Sequence, residues 1–359
     1  MWEQRKTELV PLARDGPVVV YNGETLNELV FDALFLEQVN ALVHRLSFCS
    51  HPAVLEAMAR TGASFSFRNE REWRTLQAAG FSTNASPLIF DYRPGLSPFV
   101  PGPHAVLALP VNLAPEILLT EARLFRAGKM LLRISSLDDA GADAEKALAM
   151  LAASGLRPGG AYLASEVDVS TCLLQDVIRE LGSVLGPFDP LVLGGGLGVS
   201  YSAATGRMDP KATAESLAEV REAAGGASLW LEPGMAFLRP AGALLMPVRT
   251  ARPVGEGVVI QVDDAVRGIL TEAVSDGKRT LFNLSRGLEV HLEETHASTP
   301  TKVPQGIHLA GSQRPRVGDI LLLPFLSLPK HGTVVEPLPG ALPFREHYLN
   351  ARRICQVPI

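Results

Sequence analysis

Short apolar runs, each followed by an amphipathic stretch and a glycine or proline stop, recur through the first two thirds of the chain. Pro17–Tyr21 reads as an entry strand, and Gly23 to about Gln38 as the helix after it. Leu42–Phe48, Ser64–Phe67, Pro87–Asp91, Ala105–Leu109, Met130–Ile134, Ala161–Ala164, Leu191–Leu193 and Ser228–Leu231 then have the length and apolar character of strands buried on both faces. Between them, His51–Thr61, Glu70–Ala79, Ala114–Ala127, Asp138–Ser154, Ser170–Leu185 and Pro210–Ala224 carry helical spacing. Eight strands alternating with helices predict a (β/α)8 barrel; a doubly wound sheet is the alternative arrangement. Arg93–Pro103 holds too much Pro and Gly for a full helix, so one crossover is expected to be a loop.

After Pro240 the pattern changes. Ala243–Arg252, Gly257–Val262, Arg279–Leu284, Leu288–Leu292, Ile307–Ala310 and Asp319–Leu323 are short, β-rich and punctuated by Gly and Pro. They predict a second, mostly antiparallel β domain. The expected division is 22–242 for the barrel, and 1–21 plus 243–359 for the β domain, with the N-terminal strand joining the latter.

Composition narrows the function classes. With 359 residues and 47% hydrophobic positions the chain can bury a large core. A net charge of −5 argues against nucleic acid or an anionic membrane as partner. No apolar run approaches the ~20 residues needed to span a bilayer. Met1–Lys6 is polar and unlike a signal peptide. Cys49, Cys172 and Cys355 are odd in number and widely spaced, which suggests neither a disulfide framework nor a zinc site. A cytoplasmic protein is expected.

A barrel of this type carries its chemistry at the C-terminal ends of its strands. The seventh barrel strand delivers Gly194, Gly195 and Gly196; the eighth delivers Glu232, Pro233, Gly234 and Met235. Glycines at a strand end either cradle a phosphate with their N–H groups or simply make a tight turn. Glu232 serves as an acid/base group or amine anchor, or its Glu-Pro-Gly triplet shapes a turn. Cys49 is a nucleophile if its pKa is lowered, and otherwise an inert buried thiol. His291 and Glu293 would share a strand face and could pair with His308 around a metal, but a solvated strand end is the plainer reading, and no metal is expected. Asp263 and Asp264 either bind a basic ligand or form a structural turn.

An eight-unit barrel, a β domain, and a Gly-Gly-Gly and then a Glu-Pro-Gly strand end in that order resemble the fold-type III pyridoxal-phosphate enzymes. The closest group is that of the ornithine, diaminopimelate and arginine decarboxylases, which share the barrel of alanine racemase. Val20–Asn22, His51–Phe65, Leu131–Ile134, Val262–Gly268 and Arg316–Asp319 are similar to further stretches of that family. The resemblance implies a strand-one lysine in Schiff-base linkage to the cofactor. It also implies a strand-eight glutamate on the ring nitrogen, glycine N–H groups and an arginine on the phosphate, and a strand-six histidine stacked on the ring. A head-to-tail homodimer with a shared Cys-Asp pair completes it.

This chain departs from that pattern at several positions. Counting back from His51–Leu55 puts Ser47 in the place of the lysine, and no lysine occurs between Lys6 and Lys129. The histidine falls at Ala164, the arginine at Met235, the Cys-Asp segment is reduced to Ala310–Gln313, and Leu328–Gly332 offers no tyrosine. The expectation is a decarboxylase homologue without conventional catalysis. It would be a binding or regulatory protein, or would run a cofactor-independent reaction on a small amino-acid-like or phosphate-bearing molecule. Gly194, Gly195, Gly196, Glu232 and Gly234 would then be a vestigial cofactor site. The alternative is an unconventional decarboxylase that holds pyridoxal phosphate non-covalently.

Overall fold

A computed structural model describes residues 2–47, 49–81, 88–94, 105–124, 129–135, 140–164, 171–185, 188–200, 207–234, 238–255, 257–263, 266, 280–292, 307–310, 314–324, 345–349 and 354–356. The chain divides into two units, Leu26–Phe237 and Met1–Thr25 with Leu238–Ile359.

The first unit is a closed parallel barrel with strands in the order β2 to β9. They are β2 (Val39–Arg45), β3 (Ser64–Phe67), β4 (Leu88–Asp91), β5 (Ala105–Pro110), β6 (Met130–Ile134), β7 (Gly160–Ala164), β8 (Leu191–Gly194) and β9 (Leu229–Leu231). The helices are α3 (Pro52–Arg60), α4 (Glu70–Ala78), α5 (Pro115–Leu124), α6 (Ala140–Ala153), α7 (Thr171–Leu185) and α8 (Pro210–Ala223). Their starts are marked by side-chain caps: Asn69 accepts from Glu72 N–H, and Asp209 accepts from Ala212 N–H. The barrel is the expected fold, and the doubly wound alternative is excluded by its closure. Of the segment expected to be a loop, Arg93–Pro103, the part from Gly95 onward lies outside the described residues.

One strand boundary differs from expectation. The first barrel strand was expected over Leu42–Phe48 but ends at Arg45. Leu46 N–H donates to the Ser66 carbonyl as the last rung, and the chain then turns. The His44 ring closes that turn through Nε2, 2.8 Å from the Cys49 carbonyl, and His51 caps α3 by accepting from Ala53 N–H.

The second unit holds a mixed sheet, β11-β12-β15-β14-β13-β16-β10-β1-β17-β18. Its strands are β1 (Val18–Asn22), β10 (Gly242–Pro247), β11 (Thr250–Val254), β12 (Gly257–Gln261), β13 (Thr280–Asn283), β14 (Leu288–Leu292), β15 (Ile307–Ala310), β16 (Ile320–Pro324), β17 (Arg345–Leu349) and β18 (Ile354–Gln356). All its pairings are antiparallel except β1 with β17. The run Ala243–Arg252, read as one strand, is two. Up to Pro247 the chain pairs with β16, and from Thr250 it pairs with β12, so Val248 and Arg249 mark a change of partner. A 3-10 turn (Glu3–Arg5) and α1 (Lys6–Leu12) precede β1, and Leu9 packs with Val18, Val20, Ala243, Leu245 and Leu322 in one core. α2 (Gly23–Leu34) follows β1, and α9 (Leu238–Ala241) leads into β10. No described helix is long and apolar enough to cross a membrane.

Gly160 opens β7 where β6, β7 and β8 converge. A Cβ there would lie 2.2 Å from the Pro190 carbonyl oxygen, a backbone atom with no room to yield. Gly160→Ala is expected to cost about 1–3 kcal/mol or more, read as a lowered urea midpoint with an unchanged slope.

Candidate functional site

Residues two apart on a strand face the same side. Val43, Ile89, Val106, Ala108, Leu131, Tyr162, Ala164 and Val192 form one buried cluster with Trp230 packed against it, and this fills the barrel interior. Two positions further along the same faces stand Arg45 after Val43, Asp91 after Ile89, Arg133 after Leu131 and Glu232 after Trp230. An apolar layer is thus overlaid by a charged one at the C-terminal ends of the strands.

Asp91 is the centre of that layer and is fully buried. Arg45 Nη2 lies 2.6 Å from its Oδ2, Arg133 Nε 3.0 Å from its Oδ1, and Arg93 Nη2 and Arg68 Nε 3.2 and 3.6 Å from Oδ2. Burial alone would raise the Asp91 pKa, but Arg45, Arg133, Arg93 and Arg68 outweigh it and hold the carboxyl below its usual range. Arg93 shows the opposite balance. Burial lowers its pKa, and repulsion from Arg133, Arg68 and Arg45 adds to that against the pull of Asp91.

Glu232 is also fully buried. Its Oε2 accepts from the Ser66 hydroxyl at 2.6 Å and the Tyr162 hydroxyl at 2.8 Å, while Arg45 Nε stands 3.6 Å from Oε1. Arg45 therefore lies between two carboxylates. Burial raises the Tyr162 pKa well above its ordinary value; Arg45 opposes this, but Glu232 and Asp91 reinforce it, so the phenol remains a proton donor. Arg133 donates to Ser135 Oγ and places its guanidinium 5.9 Å from the Tyr162 ring centroid. Glu72, at the start of α4, accepts from Arg68 N–H at 2.7 Å; burial raises its pKa against the pull of Arg68 and Arg45.

The glycines have a packing reason of their own. A Cβ on Gly194 would lie 2.5 Å from Tyr162 Cε2, so this position must be glycine for the Tyr162 ring to reach Glu232. Gly195 and Gly196 follow with φ of 71° and 90°, which only glycine adopts freely. Gly234 is buried with φ of 59°. Ser47 falls in the turn beyond β2, its Oγ buried and without a hydrogen-bond partner among the described residues. Cys49 is fully buried, with its carbonyl facing His44. Ala164 ends β7 inside the barrel. Met235, Gly311–Gln313, Leu328–Gly332, Glu293 and Asp264 lie outside the described residues, as do the side chains of His291 and His308. Among the described residues no group of His, Cys, Asp and Glu is arranged to hold a metal.

Arg45, Ser66, Arg68, Asp91, Arg93, Arg133 and Tyr162 were not singled out by the sequence reading. The signal for three of them was a charged residue closing or interrupting an otherwise apolar strand: Leu-Val-His-Arg, Leu-Ile-Phe-Asp and Leu-Leu-Arg-Ile. The barrel unit's lysines are elsewhere: Lys129 precedes β6, Lys146 is on α6 and Lys211 is on α8, all exposed.

No model of a known protein family matches the chain, and no curated protein sequence does. Solved structures do. The arginine decarboxylase of Paramecium bursaria Chlorella virus, solved with agmatine, superposes with a TM-score of 0.69 at 13% identity over 97% of this chain and 100% of that one. Diaminopimelate decarboxylase from Helicobacter pylori, complexed with L-lysine, gives 0.65 at 13% identity over 95% and 93%. Lysine/ornithine decarboxylase from Vibrio vulnificus, complexed with cadaverine, gives 0.65 at 16% identity over 94% and 95%. The chain has the fold of the fold-type III pyridoxal-phosphate decarboxylases across nearly its whole length. At such identities the likeness is one of fold.

Two outcomes follow from the charged layer and the turn beneath it. Asp91→Asn leaves four guanidinia around an uncharged amide and is expected to lower stability by about 3–5 kcal/mol, read by urea denaturation at neutral pH. Burial lowers the His44 pKa to about 4, partly opposed by its bond to the Cys49 carbonyl. A depressed folded-state value means that the unfolded chain takes up the proton first. The stabilisation is complete above the ordinary value of 6.5 and is lost as pH falls towards 4, a total of about 3 kcal/mol. His44→Gln is expected to remove that share of the pH dependence, read by comparing urea midpoints of the two proteins at each pH.

Proposed function

We propose that this chain is a decarboxylase-fold protein that does not run Schiff-base chemistry at its barrel end. It binds a small amino-acid-like molecule there, either as a binding or regulatory protein or in a cofactor-independent reaction. A homodimer in the cytoplasm belongs to the same reading.

The observation that carries it is Arg45. It closes the first barrel strand with its guanidinium between Asp91 and Glu232. A guanidinium stays protonated and has no free lone pair with which to attack an aldehyde, whereas a lysine amine has one once deprotonated. The exposed Lys129, Lys146 and Lys211 do not reach the strand ends, lying before β6 and on two outer helices. Among the described residues of the barrel unit, none is an amine placed to hold pyridoxal phosphate covalently; Lys278, Lys302 and Lys330 lie outside the described residues. Glu232 Oε2 already accepts hydrogen bonds from two hydroxyls, while its buried Oε1 has no hydrogen-bond partner among the described residues and is left to accept one more donor.

The related structures carry agmatine, L-lysine and cadaverine, all cationic amines. The described part of this barrel end sets Asp91, Glu232 and Glu72 among four arginines, so groups of both charges stand at the strand ends. One observation favours the second reading, a cofactor held without a covalent link: Gly195 and Gly196 keep the positive φ of an anion-cradling turn.

The test is incubation with pyridoxal phosphate, gel filtration, visible absorption, borohydride reduction with peptide mapping, and CO2 release from L-arginine, L-ornithine and L-lysine. The expected result is no retained band, no adduct on a strand-end residue and no CO2. A retained band without a reducible adduct selects the second reading. A reducible strand-end adduct together with CO2 release overturns both.

A further inference from the structure

A cleft of about 780 Å³ lies wholly within the second unit. Small-molecule sites have volumes of about 300–1,000 Å³. Ala251 and Pro253 of β11, Val258 of β12 and Leu288 of β14 give it an apolar lining. Ala251 and Pro253, two apart on β11, share a face, and Pro253 pairs with Val258, so these three form one patch of the sheet. Val317, an exposed apolar side chain, lines the cleft as well. So do three arginines, Arg286, Arg314 and Arg316, and no acidic residue is among the described residues that line it.

A lone surface arginine is ordinarily a solvated charge, but these three are placed by the fold. Asp319 is 8% exposed, and its Oδ2 lies 2.8 Å from Arg286 Nε. The same oxygen accepts from Asn283 Nδ2 at 2.8 Å and from the Arg316 backbone N–H at 2.9 Å. Arg314 Nη2 donates to the Gly255 carbonyl at 3.0 Å. Arg286 therefore has its counter-ion in Asp319, whereas the side chains of Arg314 and Arg316 make no ion pair among the described residues.

Guanidinia beside an apolar wall fit a molecule with an anionic head and a hydrocarbon body. The planar fork of an arginine takes two oxygens of a carboxylate or phosphate, and the wall takes the body. We propose that this cleft binds a small carboxylate or phosphate ester carried on an apolar body, with Arg314 and Arg316 as the head-group contacts. Arg286, tied to Asp319, is the fixed cation of the site. Asp319 and the Gly255 carbonyl hold Arg286 and Arg314 in place before a ligand arrives, so less ordering is lost on binding. The site belongs to the second unit alone and does not depend on what the barrel end holds. A carboxylate and a phosphate ester share this head-group chemistry and are separated by the probes used.

The experiment is calorimetry and thermal unfolding of the full chain, at ionic strength held constant with sodium chloride. Hexanoate, hexyl phosphate and hexylamine share one body, and inorganic phosphate supplies a head group alone. The expected result is saturable binding with a rise in Tm for hexanoate, hexyl phosphate or both, and none for hexylamine. Inorganic phosphate, lacking the body, is expected to bind about tenfold more weakly or not at all. Arg316→Gln and Arg314→Gln are each expected to weaken the bound anion about tenfold, the loss of a charge-assisted bond, and Arg316→Lys to restore part of the affinity. Arg316 reaches Asp319 through its backbone only, so Arg316→Gln is expected to keep the parent's urea midpoint, which separates lost binding from lost folding. Hexanoate alone identifies a carboxylate ligand and hexyl phosphate alone a phosphate ester; either supports the site. Binding of hexylamine, no binding of either hexyl anion, inorganic phosphate bound as tightly as the better hexyl anion, or unchanged affinity in folded Arg316→Gln and Arg314→Gln overturns it.

Discussion

The Asp91 carboxylate is the constraint on which the barrel end depends. A single buried anion takes ion pairs from β2, from β6, and from the segments after β3 and β4, so four parts of the closed sheet are tied to one point. Desolvating these groups is costly, and only their mutual compensation makes the arrangement tolerable. The apolar layer below bears the closure of the barrel; the charged layer above fixes where the strand ends point. Arg45 links the two halves of that layer because it reaches both Asp91 and Glu232.

A second dependence runs through Gly194, Tyr162 and Glu232. The ring of Tyr162 crosses the space that a Cβ on Gly194 would fill, and its hydroxyl then completes the pair of donors on Glu232. The first glycine of the triplet is thus explained by close packing within the barrel, with no ligand invoked. Gly195 and Gly196 are explained by backbone conformation. A motif that looks like one unit in sequence therefore meets two separate physical demands.

Most of the barrel was legible because its strands are short apolar runs and its helices are amphipathic, and both periodicities are local. Ends were less so. Arg45 terminates β2 because the next rung is a single bond to Ser66 and His44 then folds back on the Cys49 carbonyl, a closure that apolar content does not reveal. The change of partner at Val248–Arg249 was hidden for a related reason: Ala243–Arg252 is plausible as one strand until its neighbours are known. The site was the least legible part. Glu232 was visible beside a Pro-Gly turn, whereas Asp91, Arg133 and Tyr162 are lone polar residues in apolar runs, and each gains meaning only across strands far apart in sequence.

That separation bears on how a fold outlasts a chemistry. The interior cluster from Val43 to Trp230 closes the barrel through apolar contacts that do not depend on which polar groups stand above it. Two positions further along each strand, side chains answer mainly to one another, so their charge pattern can change provided buried groups remain compensated. Arg45 meets that condition: it is a cation at the end of β2 balanced by Asp91 and Glu232. A chain can then superpose on decarboxylases over nearly its whole length while its strand ends carry a charged layer tied together by its own ion pairs.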